Sequence, residues 1–514
     1  MDRDTITMLT IAEPLWWLAF FCAAGLCIGS FLNAVIYRLP RNISLSDPRW
    51  SFCPACGRRL RWYDNLPLVG FLRLKGRCRD CHAPISPRYP LVEIIGAIIT
   101  VLVLDALIVA QTHQGLASDA WGMSWRLAHD WPLVVAHLVL FACLFGMAAV
   151  DLENYWVDIR FTNVATLTGF AMHMLWTPPQ SADWTRPGVT TAAVAVVMTI
   201  AILATVFILR RFQSGRAGDD AFKQAMDAES ARQSSRMLQA LQYDATVDDL
   251  CVPKPPTVAE RMRMRLLGMG LTAVTGLIML QLVVFALVAA KQGDAGTVPM
   301  RWMPALVLLF LLIVGGSAQV RESDSEIHEA IESEAPSARR FAGVELLTLL
   351  PTVLIGGAVL VWLMRDADAR SSVAGWMNWR AAGDWRPLLG LSTAATGFVI
   401  GGAVGWLVRI PATLIMGKEA FGTGDIHILA AAGCVAGWPV AVIGFVLCSF
   451  LALAGWVLSI PLKRTRIIAL VPWLAMGMLL VTLYYDPIVK SQIIQNVVYV
   501  FESLARTSAT SSVQ

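Results

Sequence analysis

Charge is scarce in this sequence. Lys, Arg, Asp and Glu make up 15% of its 514 residues, where soluble domains carry about 25%. The deficit falls in long apolar runs: 56% of the residues are hydrophobic and the mean hydropathy is +0.59. That excludes an ordinary water-soluble globule and makes the lipid bilayer the partner of most of the chain. The net charge of +4 is small and by itself says little about nucleic acid; the partners expected are the bilayer and membrane substrates, with no nucleic acid. Residues 1–13 contain Asp2, Asp4 and Glu13 and lack the basic start and small-residue cleavage site of a secretory signal, so the first apolar run reads as a retained helix. No internal repeat is evident.

Apolar runs predict helices at about 15–37, 91–111, 132–150, 161–177, 189–210, 265–290, 302–319, 342–364, 387–416, 439–460 and 466–484. A piece at 427–437 is too short to span and reads as a half-helix before Gly437-Trp438-Pro439, and 489–505 reads as an interfacial helix. The expected fold class is an all-α polytopic membrane protein of about 9–12 transmembrane helices with a small cytoplasmic zinc-binding loop domain. The loop from Arg38 to Arg88 holds eleven Lys and Arg. Three further basic clusters (Arg210 to Arg265, Arg339 with Arg340, and Lys463 to Arg466) fall on the same side by crossing count, which the positive-inside rule makes cytoplasmic. Two segments look like solvated connectors: the polar 213–257 and the acidic 321–335.

Of the ten cysteines, Cys22, Cys27, Cys143, Cys434 and Cys448 lie in apolar stretches and read as small buried hydrophobes, and Cys251 stands alone in a polar segment. The other four form two pairs in the Arg-rich loop, Cys53-Pro54-Ala55-Cys56 and Cys78-Arg79-Asp80-Cys81, separated by 21 residues. Each pair can make a knuckle offering two thiolates, and two knuckles complete the closed sulfur tetrahedron of structural zinc in a reducing compartment. Gly57 follows the second ligand, where a positive φ suits glycine. Arg58, Arg59, Arg77 and Arg79 are expected to favour the thiolate form. Four sulfur ligands leave no open position for catalysis.

Acids at membrane-helix ends form the second constellation. Asp151 ends an apolar run, and Asp425 lies in Phe421-Gly422-Thr423-Gly424-Asp425 just before the half-helix. Both fall at the cytoplasmic face by the crossing count, where an acid is a functional candidate. Gly422 and Gly424 allow a tight turn and close approach of a substrate backbone. Taken alone, a helix-end Asp is more often a cap, and Asp158, Glu93, Asp105 and Glu345 compete on these grounds.

Several stretches resemble the bacterial type IV prepilin peptidases. Gly29-Ser30-Phe31-Leu32-Asn33-Ala34-Val35-Ile36-Tyr37-Arg38-Leu39-Pro40 is similar to the opening motif of that family. The cysteine pairs, Trp62-Tyr63-Asp64-Asn65-Leu66-Pro67, Gly76-Arg77-Cys78 and Ile85-Ser86-Pro87-Arg88-Tyr89-Pro90-Leu91-Val92-Glu93 are similar to its cytoplasmic domain. Asp151 to Asp158 resembles its first catalytic segment, and Gly417 to Asp425, continued by Ala431-Ala432-Gly433 and Gly437-Trp438, its second, the GxGD signature. The resemblance covers about 1–175 and 387–485. It implies a membrane aspartic endopeptidase that removes leaders from prepilins and pseudopilins after a glycine, with Asp151 and Asp425 catalytic, Asp158, Gly422, Gly424 and Glu93 supporting, and Cys53, Cys56, Cys78 and Cys81 on zinc. It also implies N-methylation of the new N-terminus with S-adenosylmethionine, for which no glycine-loop motif is recognisable. The implied location is the bacterial cytoplasmic (inner) membrane, with the catalytic face and zinc domain cytoplasmic.

The domain organisation expected is a first transmembrane helix at 1–40, a zinc domain at 41–90, helices carrying the first Asp at 91–178, an insert at 179–386, helices carrying GxGD at 387–485 and a tail at 486–514. The sequence departs from the family's pattern in three places. Val157 stands where the family usually has Pro, His427 where a Lys usually follows GxGD, and the insert lengthens the usual spacing. The insert reads either as a docking platform for assembly components or as a lineage-specific scaffold. Against the peptidase stand two other classes: a catalytically inactive pilus or secretion scaffold, and a proton-coupled transporter using the two aspartates.

Overall fold

The computed structural model describes residues 3–41, 43–46, 49–109, 123–154, 157–178, 187–213, 302–317, 323–419, 421–459, 469–492 and 494–496. Most of the polar segment 213–257, the span expected at 265–290 and residues 497–505 lie outside the described residues. In chain order the helices are α1 (Arg3–Arg38), α2 (Val69–Arg73), α3 (Arg88–Leu104), α4 (Met123–Asn154), α5 (Ile159–Leu175), α6 (Val189–Gln213), α7 (Met303–Ser317), α8 (Ser323–Arg365), α9 (Ala367–Met377), α10 (Pro387–Met416), α11 (Thr423–Ala436), α12 (Trp438–Ser459), α13 (Val471–Leu483) and α14 (Tyr485–Val489). The described residues contain no strand, only isolated bridges such as Phe52 with Arg59 and Arg77 with Pro84.

Among the described residues, seven helices are long and apolar enough to cross a membrane: Trp16–Arg41, Arg88–Val109, Met123–Glu153, Val189–Ile208, Ala338–Arg365, Pro387–Met416 and Trp438–Leu458. The chain is a helical, multi-pass membrane protein. The expected runs at 161–177, 302–319 and 466–484 fall on helices of 17, 15 and 13 residues. The half-helix expected at 427–437 is α11, whose 14 residues rise about 21 Å, short of the roughly 30 Å hydrocarbon core. It ends at Gly437, whose φ of 87° is closed to most side chains. The acidic stretch expected as a connector is instead the start of α8, continuous with the following span. Its Ala, Glu and Ile residues support helix, and acids at a helix start complement the macrodipole.

The chain folds as two compact units, one of Met1–Phe21, Ile99–Thr199 and Val284–Gln514, the other of Cys22–Ile98 and Ile200–Val283. In the first, α11 is buried from Ile428 to Ala436 and packs backbone to backbone on α10. A Cβ built on Gly433 would overlap the Gly397 carbonyl, and one on Gly397 would overlap the Gly433 carbonyl. Helices in lipid gain no hydrophobic drive from meeting each other, so small residues that admit close packing take over.

Gly433→Val is therefore expected to destabilise the protein by about 1–3 kcal/mol through overpacking. Gly402→Ala, whose new methyl meets only Ala430 Cβ at 3.6 Å, is expected to be neutral. Thermal unfolding of the detergent-solubilised variants checks the contrast, and equal stability of the two contradicts the seam.

Candidate active site and metal centre

The smaller unit holds the cysteines. Cys53 N–H donates to Arg58 O at 2.9 Å and Cys78 N–H to Ala83 O at 2.9 Å, so each pair sits in a tight knuckle. Gly57 has φ 67°, as the sequence suggested, and the matching place in the second knuckle is taken by His82 at φ 56°. The four Sγ atoms lie within 4.8 Å of one another, and all four cysteines are free thiols. Tetrahedral zinc with Zn–S near 2.3 Å sets its sulfurs about 3.8 Å apart, and Cys53 and Cys81 Sγ stand at 3.9 Å. The cluster can hold a metal such as zinc. Burial raises the Cys53, Cys56 and Cys81 thiols. Burial also raises Cys78, but hydrogen bonds from the Cys81 and Asp80 backbone N–H groups and from the Cys81 and Cys53 side chains together outweigh it and bring that thiol to about 7.

Four arginines near the sulfurs make specific contacts. Arg79 and Arg73 converge on the Asp64 carboxylate. The Arg79 hydrogen bond, against burial, holds Asp64 below the usual carboxylate range. Arg58 pairs with Asp80 at 3.5 Å and Arg59 lies 5.1 Å over the Trp50 ring. These contacts brace the loop and differ from the general electropositive setting expected around the sulfurs. Glu93, buried on α3, accepts Leu68 N–H at 2.7 Å and a hydrogen bond from Ser30. Asn33 donates to Tyr89 O at 2.9 Å, and a Cβ on Gly29 would stand 2.5 Å from Glu93 Cα. The opening motif and the Tyr89–Glu93 stretch therefore meet, with Glu93 anchoring the loop.

The larger unit brings together the two aspartates. Asp151, 5% exposed, is in the last turn of α4, and its Oδ2 accepts Val471 N–H at the start of α13 at 3.1 Å. Asp425, 8% exposed, is in the first turn of α11. Asp151 is close enough to act Coulombically on it. Gly424 packs on Val157, where a Cβ would come within 2.7 Å, so the departing residue of the first segment is in contact with the GxGD loop. Gly422 is the α11 N-cap, and a Cβ there would sit 3.0 Å from Asp425 Oδ2. His427 is exposed on the same helix.

The competing acids have other engagements. Asp158 is the α5 N-cap, accepting Arg160 N–H at 2.8 Å and pairing with the Arg160 side chain at 2.6 Å. Asp105 is buried at the start of a π-helical turn, Asp105–Val109. Glu345 on α8 pairs with Arg409 on α10 at 3.0 Å. The sequence reading passed over Arg409, although a single cation within the apolar run 387–416 is itself a signal.

Residues 23–106 match the bacterial peptidase A24 N-terminal domain, and the stretch takes in the opening motif, both cysteine pairs and Glu93. Among curated proteins the chain is 38% identical over 153 residues to a "Prepilin leader peptidase/N-methyltransferase" of Myxococcus xanthus, covering 30% of this chain and 39% of that protein. It is 39% identical over 163 residues to a "Type 4 prepilin-like proteins leader peptide-processing enzyme" of Escherichia coli, covering 28% of this chain and 52% of the relative. Over 95 residues it is 50% identical to a "Prepilin leader peptidase/N-methyltransferase" of Klebsiella pneumoniae, covering 17% of this chain and 41% of that protein. The chain thus spans about half or less of the length of these relatives. No solved structure matches it. The resemblance to bacterial type IV prepilin peptidases holds in sequence.

Purified protein is expected to carry about one zinc per chain. The Cys78→Ser/Cys81→Ser variant is expected to lose it and to yield less folded protein, because in a loop this small metal binding supplies much of the folding free energy. Elemental analysis decides the point; full zinc content in that variant rules out this cluster as the site.

Proposed function

We propose that this chain is a membrane aspartic endopeptidase that hydrolyses the leader of prepilins or pseudopilins after a glycine, with Asp151 and Asp425 as the catalytic pair. The observation that carries the reading is two buried carboxylates, from the end of one helix and the start of another, close enough to interact. Like charges in a low-dielectric site share one proton. The ionised member takes a proton from the attacking water while the protonated member donates to the peptide carbonyl oxygen, and the roles exchange as the tetrahedral intermediate collapses. Gly424 admits the close approach of Val157 from the first segment, and Gly422 keeps a side chain away from Asp425 Oδ2. Asp158 supports the site by capping α5.

In this reading 41–90 is a structural zinc domain, 91–178 and 387–485 carry the aspartates, and 179–386 is an insert. The basic loops support placing the zinc domain and both aspartates at the cytoplasmic face of a bacterial inner membrane. N-methylation with S-adenosylmethionine comes from the relatives' names. The described residues contain no glycine-rich strand-to-helix turn to fit that cofactor, and no step is assigned to it.

Asp151→Asn and Asp425→Asn are each expected to lower prepilin cleavage by about 10²–10⁴-fold or more with normal expression and zinc content. Asp158→Asn keeps a capping side chain and is expected to cost far less. Cleavage of a purified prepilin in detergent or liposomes measures this. Activity in both Asn variants at 151 and 425 removes the aspartic-protease reading, and near wild-type activity in Asp151→Asn with loss in Asp158→Asn moves the first catalytic role to Asp158.

A further inference from the structure

Arg409 is a cation buried within the apolar helix α10, 7% exposed. Its guanidinium reaches in two directions. Nε and Nη2 fork onto Glu345 of α8 at 3.0 Å each. Nη1 donates to Glu419 at 2.5 Å and to the Phe421 carbonyl. Glu419 and Phe421 belong to the loop between α10 and α11, and Phe421 is four residues before Asp425. A second tie lies near the first: Arg339, also on α8, donates from Nε to Leu414 O at 3.1 Å, one of the carbonyls that the end of α10 leaves without an intrahelical partner. The Phe421 ring stacks edge-on against Phe445 of α12, 5.6 Å between centroids, so the loop is held from both sides. A buried guanidinium is retained only where its donors are matched, and the planar fork fits carboxylate better than an ammonium does.

We propose that α8, although it belongs to the insert, is part of the active-site framework, with Glu345 orienting Arg409 and Arg409 holding Glu419 and Phe421, which lead into the turn that sets the position of Asp425. The inference rests on the proposed function for its catalytic consequence. Arg409 and Glu345 are positioning residues; neither is assigned contact with substrate. Within the insert, α8 then braces the GxGD loop.

The test uses the full chain in detergent with two readouts. The first is trypsin cleavage after Lys418, an exposed residue in the same loop. Local opening of a clasped loop governs such cleavage, so Glu345→Gln and Arg409→Gln are expected to speed it about threefold or more. The second is steady-state cleavage of a purified prepilin. Both variants are expected to lose about ten- to a hundredfold in kcat through misplacement of a reacting group, with KM within about twofold of wild type. Arg409→Lys keeps the charge without the fork and is expected to recover only part of the loss. The Glu345→Gln/Arg409→Gln double variant removes both charges of the α8–α10 pair, so neither is left buried without the other, and the Glu419 carboxylate that remains is exposed to solvent. It is expected to match Arg409→Gln in kcat, because the two side chains act as one unit.

Additive losses in the double variant overturn the coupling. An unchanged kcat in Glu345→Gln, with Asp425→Asn inactive, overturns the positioning role alone. An active Asp425→Asn variant overturns the proposed function instead, and accelerated trypsin cleavage in the clasp variants then still supports the clasp as a loop-holding device.

Discussion

The backbone contact between α10 and α11 is the constraint on which the larger unit depends. A 14-residue helix is too short to anchor itself across a bilayer, so α11 stays in place by burial against neighbours, and the Gly397–Gly433 contact fixes its distance from α10. Any side chain at either position would push the helices apart. Asp425 is in the first turn of α11, so a displacement of this helix moves the carboxylate relative to Asp151 on α4. Packing and chemistry are thus joined through one close approach: the residues that permit it are apolar and far from the carboxylates, yet they set the spacing of the pair.

The smaller unit is held differently. Its loop from 41 to 87 has little core, and it is bound by directional contacts: two knuckles around four sulfurs, a carboxylate gripped by two arginines at Asp64, and the Glu93 carboxylate receiving the Leu68 N–H. Leu68 adopts φ 59°, a region costly for a non-glycine residue, and the Glu93 hydrogen bond is one of the contacts that offset that cost. The A24 N-terminal match begins at residue 23 and ends at 106, so it covers both this loop and the helical stretches to which Ser30, Asn33 and Glu93 tie it.

Much of this was legible in the sequence because the chemistry is local. Two Cys-x-x-Cys pairs announce a sulfur cluster, and Gly57 announces a positive φ. The GxGD string marks its own turn. What the sequence did not disclose is pairwise and distant. His82 takes the left-handed place of Gly57 without a residue type that signals it. The stretch 321–335 looked like a connector because its acids suggested solvent, but they are compatible with helix. Glu345 was one acid among several competitors until its partner 64 positions later was located. The Gly397–Gly433 contact was hidden among 38 glycines, since a helical glycine gives no hint of which backbone it faces.

The placement of the two aspartates has a common physical basis. Burying a carboxylate is costly unless donors meet it, and helix N-termini supply backbone N–H groups that lack intrahelical partners. Asp151 takes the Val471 N–H at the start of α13, and Asp425 lies in the first turn of α11. Asp425 is thus at the start of its own helix, where the dipole favours negative charge, and Asp151, in the last turn of α4, meets the start of a neighbouring helix. Asp151 is thereby met by a backbone donor, whereas Asp425 Oδ1 is buried with no hydrogen-bond partner among the described residues. A permanent cation in contact with both carboxylates would keep both ionised and leave no proton to donate. Arg409 respects this limit: its donors go to Glu345, Glu419 and the Phe421 carbonyl, so it secures the loop while the pair remains able to share a proton.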